Sequence, residues 1–404
     1  MFLQSLLNKN PSFVEAAVAL HQAGAIPANS YAVDLDAVAA NTAYLMGEAR
    51  ALGLTVYAMT KQLGRAPGVL RAITDAGVDG YVAVDMACAR PIAANGHNLG
   101  HIGHLVQVAA AETSEAIAME PDYWTVFSPN KAAEASAAAA RLGRVQNLLV
   151  RVFAPGDEFY TGHEGGVPLE ELGAMISHIG GLPGVRFAGL TTFPALLFDP
   201  SDRGARITPN MATLARAAET ARQHMGRGDQ QTLQINAPGT TSTAVLSQLA
   251  GAGATQVEPG HGLTGTTPLH AVGDLPEQPA VCYVSEVAHI HQGTPFCFGG
   301  GLYIDPVFGD YQTTAAVAHD PSEAATEPVP ADLPDPAAID YYAKLRPESG
   351  RTVCEGDTVI FGFRIQAFVT RAFIVGVAGV RSGRPSVAGV WDVLGNPVAW
   401  KGKR

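Results

Sequence analysis

Between residues 31 and 259, short apolar segments alternate with alanine-rich segments of helical length. The segments predicted as strands cover residues 31–36, 55–60, 80–85, 101–108, 123–128, 147–153, 186–194, 232–237 and 254–259. Apolar runs that are each followed by a helix are typical of parallel strands covered by helices. Eight or nine such units in about 230 residues favour a (β/α)8 TIM-type barrel over an open doubly wound sheet. The missing GxGxxG after the first strand also weakens the doubly wound alternative.

The alternation stops near residue 270. Segments 281–291, 296–304, 357–369 and 371–380 are rich in Val, Phe and Ile and are separated by glycine turns, which predicts a C-terminal antiparallel β domain. The proline- and alanine-rich stretch 310–350 is predicted to be a surface excursion with a short helix at 336–345. We therefore expect an N-terminal helix and extension at 1–29, a barrel at 30–270 and a β domain at 271–404.

Composition narrows the class of protein. The net charge of -11 argues against a nucleic-acid or membrane-surface partner. The four cysteines form no CxxC pair, and the N-terminus lacks the basic start of a signal peptide. We expect a cytoplasmic protein with a small-molecule partner.

Functional groups of a parallel barrel lie at the carboxyl ends of its strands. Two late strands there end in loops suited to a phosphate. The first, NAPGTT, offers Asn236, Gly239, Thr240 and Thr241 ahead of a helix, where free N–H groups favour an anion. The second, EPGHG, offers Gly260, His261 and Gly262, and exposed backbone N–H groups can wrap phosphate oxygens.

Lys61 follows the strand VYAMT directly. A lysine at a strand end in a barrel is partly desolvated, and desolvation lowers the pKa of an amine and makes it a Schiff-base nucleophile. The ordinary alternative is a surface lysine at a strand terminus. We expect the two phosphate-type loops several strands away, across the barrel mouth. A lysine together with a phosphate site is what pyridoxal phosphate requires.

The chain resembles the alanine-racemase-like (fold type III) pyridoxal-phosphate enzymes, and most closely the YhfX-like subgroup. The resemblance rests on four motifs in order: VYAMTK, NAPGT, EPGHG and GTPFCFGG at 293–300. It implies that Lys61 carries the cofactor, that the two loops hold its phosphate, and that the protein is a head-to-tail homodimer.

The chain departs from alanine racemases at the residues that set the reaction. Glu258 stands where racemases have an arginine facing the pyridine nitrogen, as in decarboxylases of the same fold. Phe298 stands where racemases have the catalytic tyrosine, so Cys297 and Tyr303 are the nearest titratable substitutes. The loop TGHEGG lacks the substrate-binding arginine, although His163 and Glu164 on it are candidates for contacts with a polar substrate.

These features predict an amino-acid racemase or epimerase in which Lys61 removes the Cα proton, Glu258 keeps the pyridine nitrogen protonated, and Cys297 or Tyr303 returns the proton. The alternatives are a decarboxylase or aldolase-type lyase, favoured by Glu258, and a non-catalytic cofactor carrier, disfavoured by the β domain. No metal site is predicted, because His289 and His291 share a strand face without a third matched ligand.

Overall fold

The computed structural model describes residues 1–226, 232–303, 308, 312–324, 326–335 and 338–402. Its contacts divide the chain into two compact units. One, the β unit, comprises Met1–Thr42, Lys61–Ala76 and His261–Arg404. The other, the barrel unit, comprises Ala43–Thr60 and Gly77–Gly260.

The elements alternate along the first two thirds of the chain and become almost entirely strands thereafter. The strands are β1 (Ser30–Asp34), β2 (Thr55–Met59), β3 (Gly80–Val82), β4 (Leu99–Ile102), β5 (Tyr123–Val126), β6 (Gln146–Phe153), β7 (Val167–Pro168), β8 (Val185–Thr191), β9 (Leu196–Asp199), β10 (Gly204–Ile207), β11 (Gln234–Asn236), β12 (Gln256–Val257), β13 (Val281–His291), β14 (Thr294–Phe298), β15 (Thr314–Ala318), β16 (Val329–Asp332), β17 (Tyr342–Leu345), β18 (Thr358–Phe361), β19 (Phe373–Ala378) and β20 (Ser386–Trp391). The α-helices are α1 (Phe2–Lys9), α2 (Pro11–Gln22), α3 (Leu35–Ala51), α4 (Pro67–Asp75), α5 (Met86–Ala94), α6 (Thr113–Ala118), α7 (Pro129–Arg141), α8 (Leu172–Gly180), α9 (Pro209–His224), α10 (Leu246–Gly251) and α11 (Pro268–Val272).

The barrel unit confirms the predicted (β/α)8 architecture. Its parallel strands follow one another in the order β2, β3, β4, β5, β6, β8, β11, β12, and the pairing of β12 with β2 closes the ring. Helix starts are fixed locally: Asp85 accepts from the Cys88 N–H at the start of α5, and Ser128 accepts from the Lys131 N–H at the start of α7. Such caps satisfy donors that the first helical turn leaves open, so each strand can turn directly into its covering helix.

Strand β1 belongs to the β unit, so the prediction that Tyr31 begins the barrel is wrong. It pairs antiparallel with β13 and parallel with β19 in a sheet ordered β14-β17-β16-β15-β18-β13-β1-β19-β20. All five residues of β1 are buried. A central strand covered on both faces shows the same continuous burial as a barrel strand, which is why the apolar pattern misled.

The stretch 310–350 also differs from the prediction. It contributes β15, β16 and β17 to the antiparallel sheet and is not a surface excursion. The predicted helix 336–345 overlaps β17, where burial alternates along Tyr342–Leu345 as it does in a strand. Residues 336 and 337 lie outside the described part of the chain.

One face of this sheet is covered by the N-terminal helices. Leu6 of α1 and Phe13 of α2 join Ala32 of β1, Val284 of β13 and Val375 of β19 in one buried apolar cluster. Over the described residues, no helix has the length and hydropathy needed to cross a bilayer.

Candidate active site

A buried polar layer lies at the carboxyl ends of the barrel strands. It is formed by one side chain from each of five strands or strand ends: His101 (β4), Thr125 (β5), Thr191 (β8), Asn236 (β11) and Glu258 (after β12). Thr191 Oγ1 donates to Asn236 Oδ1 at 2.7 Å, and Asn236 Nδ2 donates to Glu258 Oε1 at 2.9 Å. His101 lies between Glu258 Oε1, 2.5 Å from its Nδ1, and Thr125 Oγ1, 2.6 Å from its Nε2. The network therefore ties together strands from different sides of the ring.

Glu258 is the charged centre of this layer, and its side chain is 1 % exposed. Burial alone raises the pKa of a carboxyl group, but the positive charges of His104 and His101, together with the hydrogen bonds from His101 and Asn236, outweigh it and leave the pKa of Glu258 lowered. His104 Nε2 lies 3.3 Å from Oε2, an ion-pair contact without hydrogen-bond geometry. Glu258 is thus held as a carboxylate, with His101 Nδ1 donating to it.

Three further groups at the strand ends fit a polar ligand. Among the described residues, Thr60 Oγ1 and Ser242 Oγ are buried and have no hydrogen-bond partner. The same holds for Nε and Nη1 of Arg151, a residue of β6 that is 0 % exposed. Buried polar atoms normally find partners, so unsatisfied ones at the carboxyl ends of barrel strands are the signature expected of a site completed by a bound molecule.

The NAPGTT loop lies at the end of β11, as predicted. Several of the groups predicted to bind a phosphate instead form hydrogen bonds within the protein. The Asn236 amide is engaged with Thr191 and Glu258. A Cβ on Gly239 would lie 2.7 Å from the Leu196 carbonyl oxygen, so glycine is required here for close backbone approach to β9. The Thr240 N–H donates to that same carbonyl, and the Thr241 N–H donates to Gly239 O. Ser242 follows this loop directly, and its buried hydroxyl has no hydrogen-bond partner among the described residues, so it can bind a phosphate.

Strands β2 and β12 are neighbours, which corrects the expected separation of the lysine from the Pro-Gly loop. Val257 pairs with Val56, and the Met59 N–H donates to Pro259 O at 2.9 Å. Gly260 follows Pro259 directly. Because β1 is not a barrel strand, β2 is the first strand of the ring and closes onto the last.

Lys61 and His261 belong to the β unit and are described within it. Lys61 Nζ lies 5.5 Å from the centroid of the Phe368 ring. His261 is buried; burial first, and then the charge of Arg364, holds its pKa well below the usual range, so Nε2 of the neutral ring donates to Ile365 O at 2.6 Å. The Gly262 carbonyl accepts from the Gly265 N–H. Lys61 and His261 are therefore both placed against the segment around residues 364–368.

The predicted substrate loop is packed within the barrel unit. The His163 ring lies 5.8 Å from that of Phe193, and its carbonyl accepts from Arg151 Nη2 at 2.6 Å. Burial lowers the pKa of Arg151, and the charge of the exposed Glu164 partly opposes that shift. The His104 ring meets Phe193 edge-on at 5.6 Å. The loop residues chosen from sequence thus lie beside Arg151, which sequence reasoning missed.

The two candidates for the second acid differ in accessibility. Cys297 lies in β14 and is fully buried, and burial raises the pKa of its thiol to about 12. Tyr303 is 39 % exposed. His289 stacks on Phe296 with ring centroids 4.8 Å apart, which agrees with a packing role. Accessibility therefore favours Tyr303 over Cys297.

The residues missed by sequence reasoning share one signal: a polar side chain within or just after an apolar strand. Arg151 interrupts the run LLVRVF, and His101 and His104 stand three residues apart at the end of β4. His101, His104 and Glu258 also offer ligand atoms within 4.8 Å of one another, a spacing that could hold a metal ion.

Comparison with known proteins agrees with this architecture. Residues 33–268 match the model for the N-terminal domain of alanine racemase, and residues 282–387 match that for the C-terminal domain of YhfX-like proteins. The chain belongs to the alanine-racemase-like family, in its YhfX-like subgroup. It is 37 % identical over 396 residues to the uncharacterized protein YhfX of Escherichia coli K12, covering 98 % of this chain and 99 % of that protein.

Solved structures with the same fold share little sequence identity with this chain. D-threonine aldolase from Filomicrobium marinum superposes with a TM-score of 0.65 at 17 % identity, covering 92 % of this chain and 96 % of the aldolase. D-threo-3-hydroxyaspartate dehydratase from Delftia sp. HT23 gives 0.64 at 15 % identity, with 91 % and 97 % covered. Alanine racemase from Clostridium difficile 630 gives 0.63 at 14 % identity, with 90 % and 98 % covered. At these identities the likeness establishes the fold alone.

Proposed function

We propose that the chain is a pyridoxal-phosphate-dependent enzyme that acts at the Cα of an amino acid or amino-acid analogue, as a racemase or epimerase. The observation that carries the proposal is the pairing of β2 with β12, since Lys61 follows the first strand and Glu258 the second. Unsatisfied buried hydroxyls at Thr60 and Ser242 support a polar ligand at the same strand ends.

Each residue has a defined role in the proposal. Lys61 would hold the cofactor, and its amine, once free, would remove the Cα proton of the substrate. The Glu258 carboxylate keeps the pyridine nitrogen protonated, because an opposite charge favours the protonated form. The Ser242 hydroxyl and the loop that begins at Gly260 bind the phosphate. The bound cofactor supplies an electron sink for charge that develops at Cα. Tyr303 returns a proton to the opposite face, within a homodimer.

A lyase is the second candidate, and the ionised state of Glu258 favours it. A carboxylate at this position strengthens the electron-withdrawing power of the cofactor, which also helps the loss of carboxylate or of a side-chain carbon from Cα. The D-threonine aldolase and dehydratase that share the fold show that it is compatible with such reactions.

The test begins with the lysine. Protein incubated with pyridoxal phosphate should absorb visible light, and borohydride reduction followed by peptide mapping should find the label on Lys61. Lys61→Ala should abolish the label, whereas Lys401→Ala, a change at an exposed lysine, should retain it. A label on another lysine, or a protein that takes up no cofactor, contradicts the proposal.

The reaction is tested with a panel of D- and L-amino acids. Exchange of the Cα proton in deuterium oxide together with appearance of the opposite enantiomer identifies a racemase or epimerase. Release of carbon dioxide or an aldehyde without inversion identifies the lyase instead.

A further inference from the structure

Arg151 is a completely buried cation in β6, next in register to Thr191 of the polar layer. The faces of its guanidinium are covered by aromatic rings: the guanidinium carbon lies 4.9 Å from the centroid of Phe127 and 5.6 Å from that of Phe159. Hydrogen-bond acceptors can therefore approach it only at its edges, in the plane of the group.

Within the described part of the chain, only one of the three guanidinium nitrogens, Nη2, has hydrogen-bond partners. Nη2 donates to His163 O at 2.6 Å and to Phe193 O at 3.2 Å. Nε and Nη1 have no hydrogen-bond partner among the described residues. A guanidinium has five N–H donors and no acceptor, so Nε and Nη1 leave three hydrogens unused. Burying such donors unsatisfied is costly unless another molecule supplies acceptors.

The carboxylate of Glu164 does not satisfy the unused donors of Arg151. Glu164 interacts with Arg151 electrostatically, but its own side chain is exposed. Burial lowers the pKa of Arg151 to about 10, so the group stays a cation at neutral pH. A cation with in-plane donors in an aromatic setting selects a planar oxyanion, because an N–H fork matches carboxylate geometry.

We propose that Arg151 binds the carboxylate of the substrate. The inference rests on the proposed function, and it supplies from strand β6 the arginine that the loop TGHEGG lacks. The substrate class is thereby an amino acid with a free carboxylate. Because Nε and Nη1 are shielded from solvent, the loop that carries Phe159 and His163 must shift to admit it.

The test uses acetate as the probe and acetamide as its neutral analogue, with protein both free of and loaded with pyridoxal phosphate, at constant ionic strength. Acetate should raise the midpoint of thermal unfolding of the parent, and acetamide should not. Arg151→Met should weaken acetate binding by about 10- to 100-fold, the loss expected for charge-assisted hydrogen bonds. Arg151→Lys should retain part of the response. Arg90→Met, at an exposed arginine paired with Glu112 and Glu115, is the matched control.

Each response is compared within one variant, so a change in basal stability does not obscure it. Equal responses to acetate and acetamide, or an acetate response retained in Arg151→Met, overturn the proposal. A tenfold loss of pyridoxal-phosphate affinity in Arg151→Met also overturns it, by assigning the arginine to the cofactor. If the protein binds no cofactor but shows an acetate response that depends on Arg151, the carboxylate site stands and the proposed function falls.

With an active amino acid in hand, Arg151→Met should raise KM at least tenfold while kcat stays within about threefold, the pattern of binding energy expressed equally in ground and transition states. The corresponding amino-acid amide should be equally poor with parent and variant. If Arg151 were purely structural, its replacement would lower kcat and stability without distinguishing acid from amide, which would contradict the assignment.

Discussion

Replacing Glu258 by glutamine removes the charge at the centre of the polar layer while keeping the size of the side chain. Two hydrogen bonds, from His101 at 2.5 Å and Asn236 at 2.9 Å, then end on a neutral acceptor. Hydrogen bonds to charged groups contribute about 1 kcal/mol more than neutral ones, so this loss amounts to about 2 kcal/mol. The attraction of His104 is also lost. Relief of the burial cost of a carboxylate opposes these losses, but the lowered pKa of Glu258 shows that attraction exceeds that cost. We expect Glu258→Gln to destabilise the protein by about 2–4 kcal/mol at pH 7, which overlaps the range of about 3–5 kcal/mol for broken buried ion pairs.

The pH dependence gives the sharper test. A carboxyl group whose pKa is lowered by folding stabilises the native state above its unfolded pKa of about 4.3, and this contribution disappears as the pH falls through the lower native pKa. The difference between parent and Glu258→Gln should be largest at neutral pH and shrink below about pH 4. Urea unfolding at several pH values measures it, with the fluorescence of Trp124, buried in β5 beside Thr125, as a reporter within the barrel unit.

Glu134→Gln is the control, because Glu134 forms a partly exposed ion pair with Lys131 at 2.7 Å. It should change the free energy of unfolding by at most about 1 kcal/mol. If Glu258→Gln matches that small effect at every pH, Glu258 is not a buried carboxylate stabilised by its neighbours. Its proposed role at the pyridine nitrogen would then lose its electrostatic basis.

Two further pairs of substitutions test the packing at Gly239 and the identity of the second acid. Gly239→Ala should destabilise the protein by about 1–3 kcal/mol, because its Cβ would lie 2.7 Å from Leu196 O. Gly47→Ala in α3, where no atom lies within 4 Å of the new Cβ, should stabilise the protein by about 0.5–1 kcal/mol. Thermal unfolding measures both changes, and equal effects would contradict the packing argument. Tyr303→Phe should slow return of the Cα proton while leaving cofactor affinity intact. Cys297→Ala should leave the reaction rate near that of the parent, because the thiol is buried and its pKa is raised. Deuterium incorporation at Cα, followed for each enantiomer, decides between the two residues.

The barrel could be predicted from sequence because its strands and helices repeat in a regular order. The same criterion failed at Ser30–Asp34, since the uniform burial of this central strand of the C-terminal sheet produces the same apolar pattern as a parallel barrel strand. It failed again at Tyr342–Leu345, where alanine- and proline-rich surroundings concealed a two-residue alternation. The local pattern of apolar and polar residues does not determine which distant strands pair with each other.

The residues of the candidate site show the same contrast between local motifs and contacts made only on folding. Glu258 and Lys61 could be proposed from sequence because each lies in a short motif beside glycine or proline at a strand end. The histidines around Glu258 could not, because His101 approaches it only when the barrel closes. In the sequence, Arg151 is a single charged residue within a strand. Its complete burial and its unsatisfied nitrogens, which mark it as functional, are features of the folded structure.

The position of β1 has a consequence for synthesis of the chain. Its two neighbours, β13 and β19, are made long after it, so Ser30–Asp34 leaves the ribosome with no strand to pair with. The barrel unit, in contrast, is complete once Gly260 has emerged. Pairing between distant segments is slow because the intervening chain must be closed into a loop first. Until the C-terminal third is translated, the apolar faces of α1, α2 and β1 remain exposed. Chains truncated before β19 should accumulate with a formed barrel and an N-terminus that is open to proteases and chaperones.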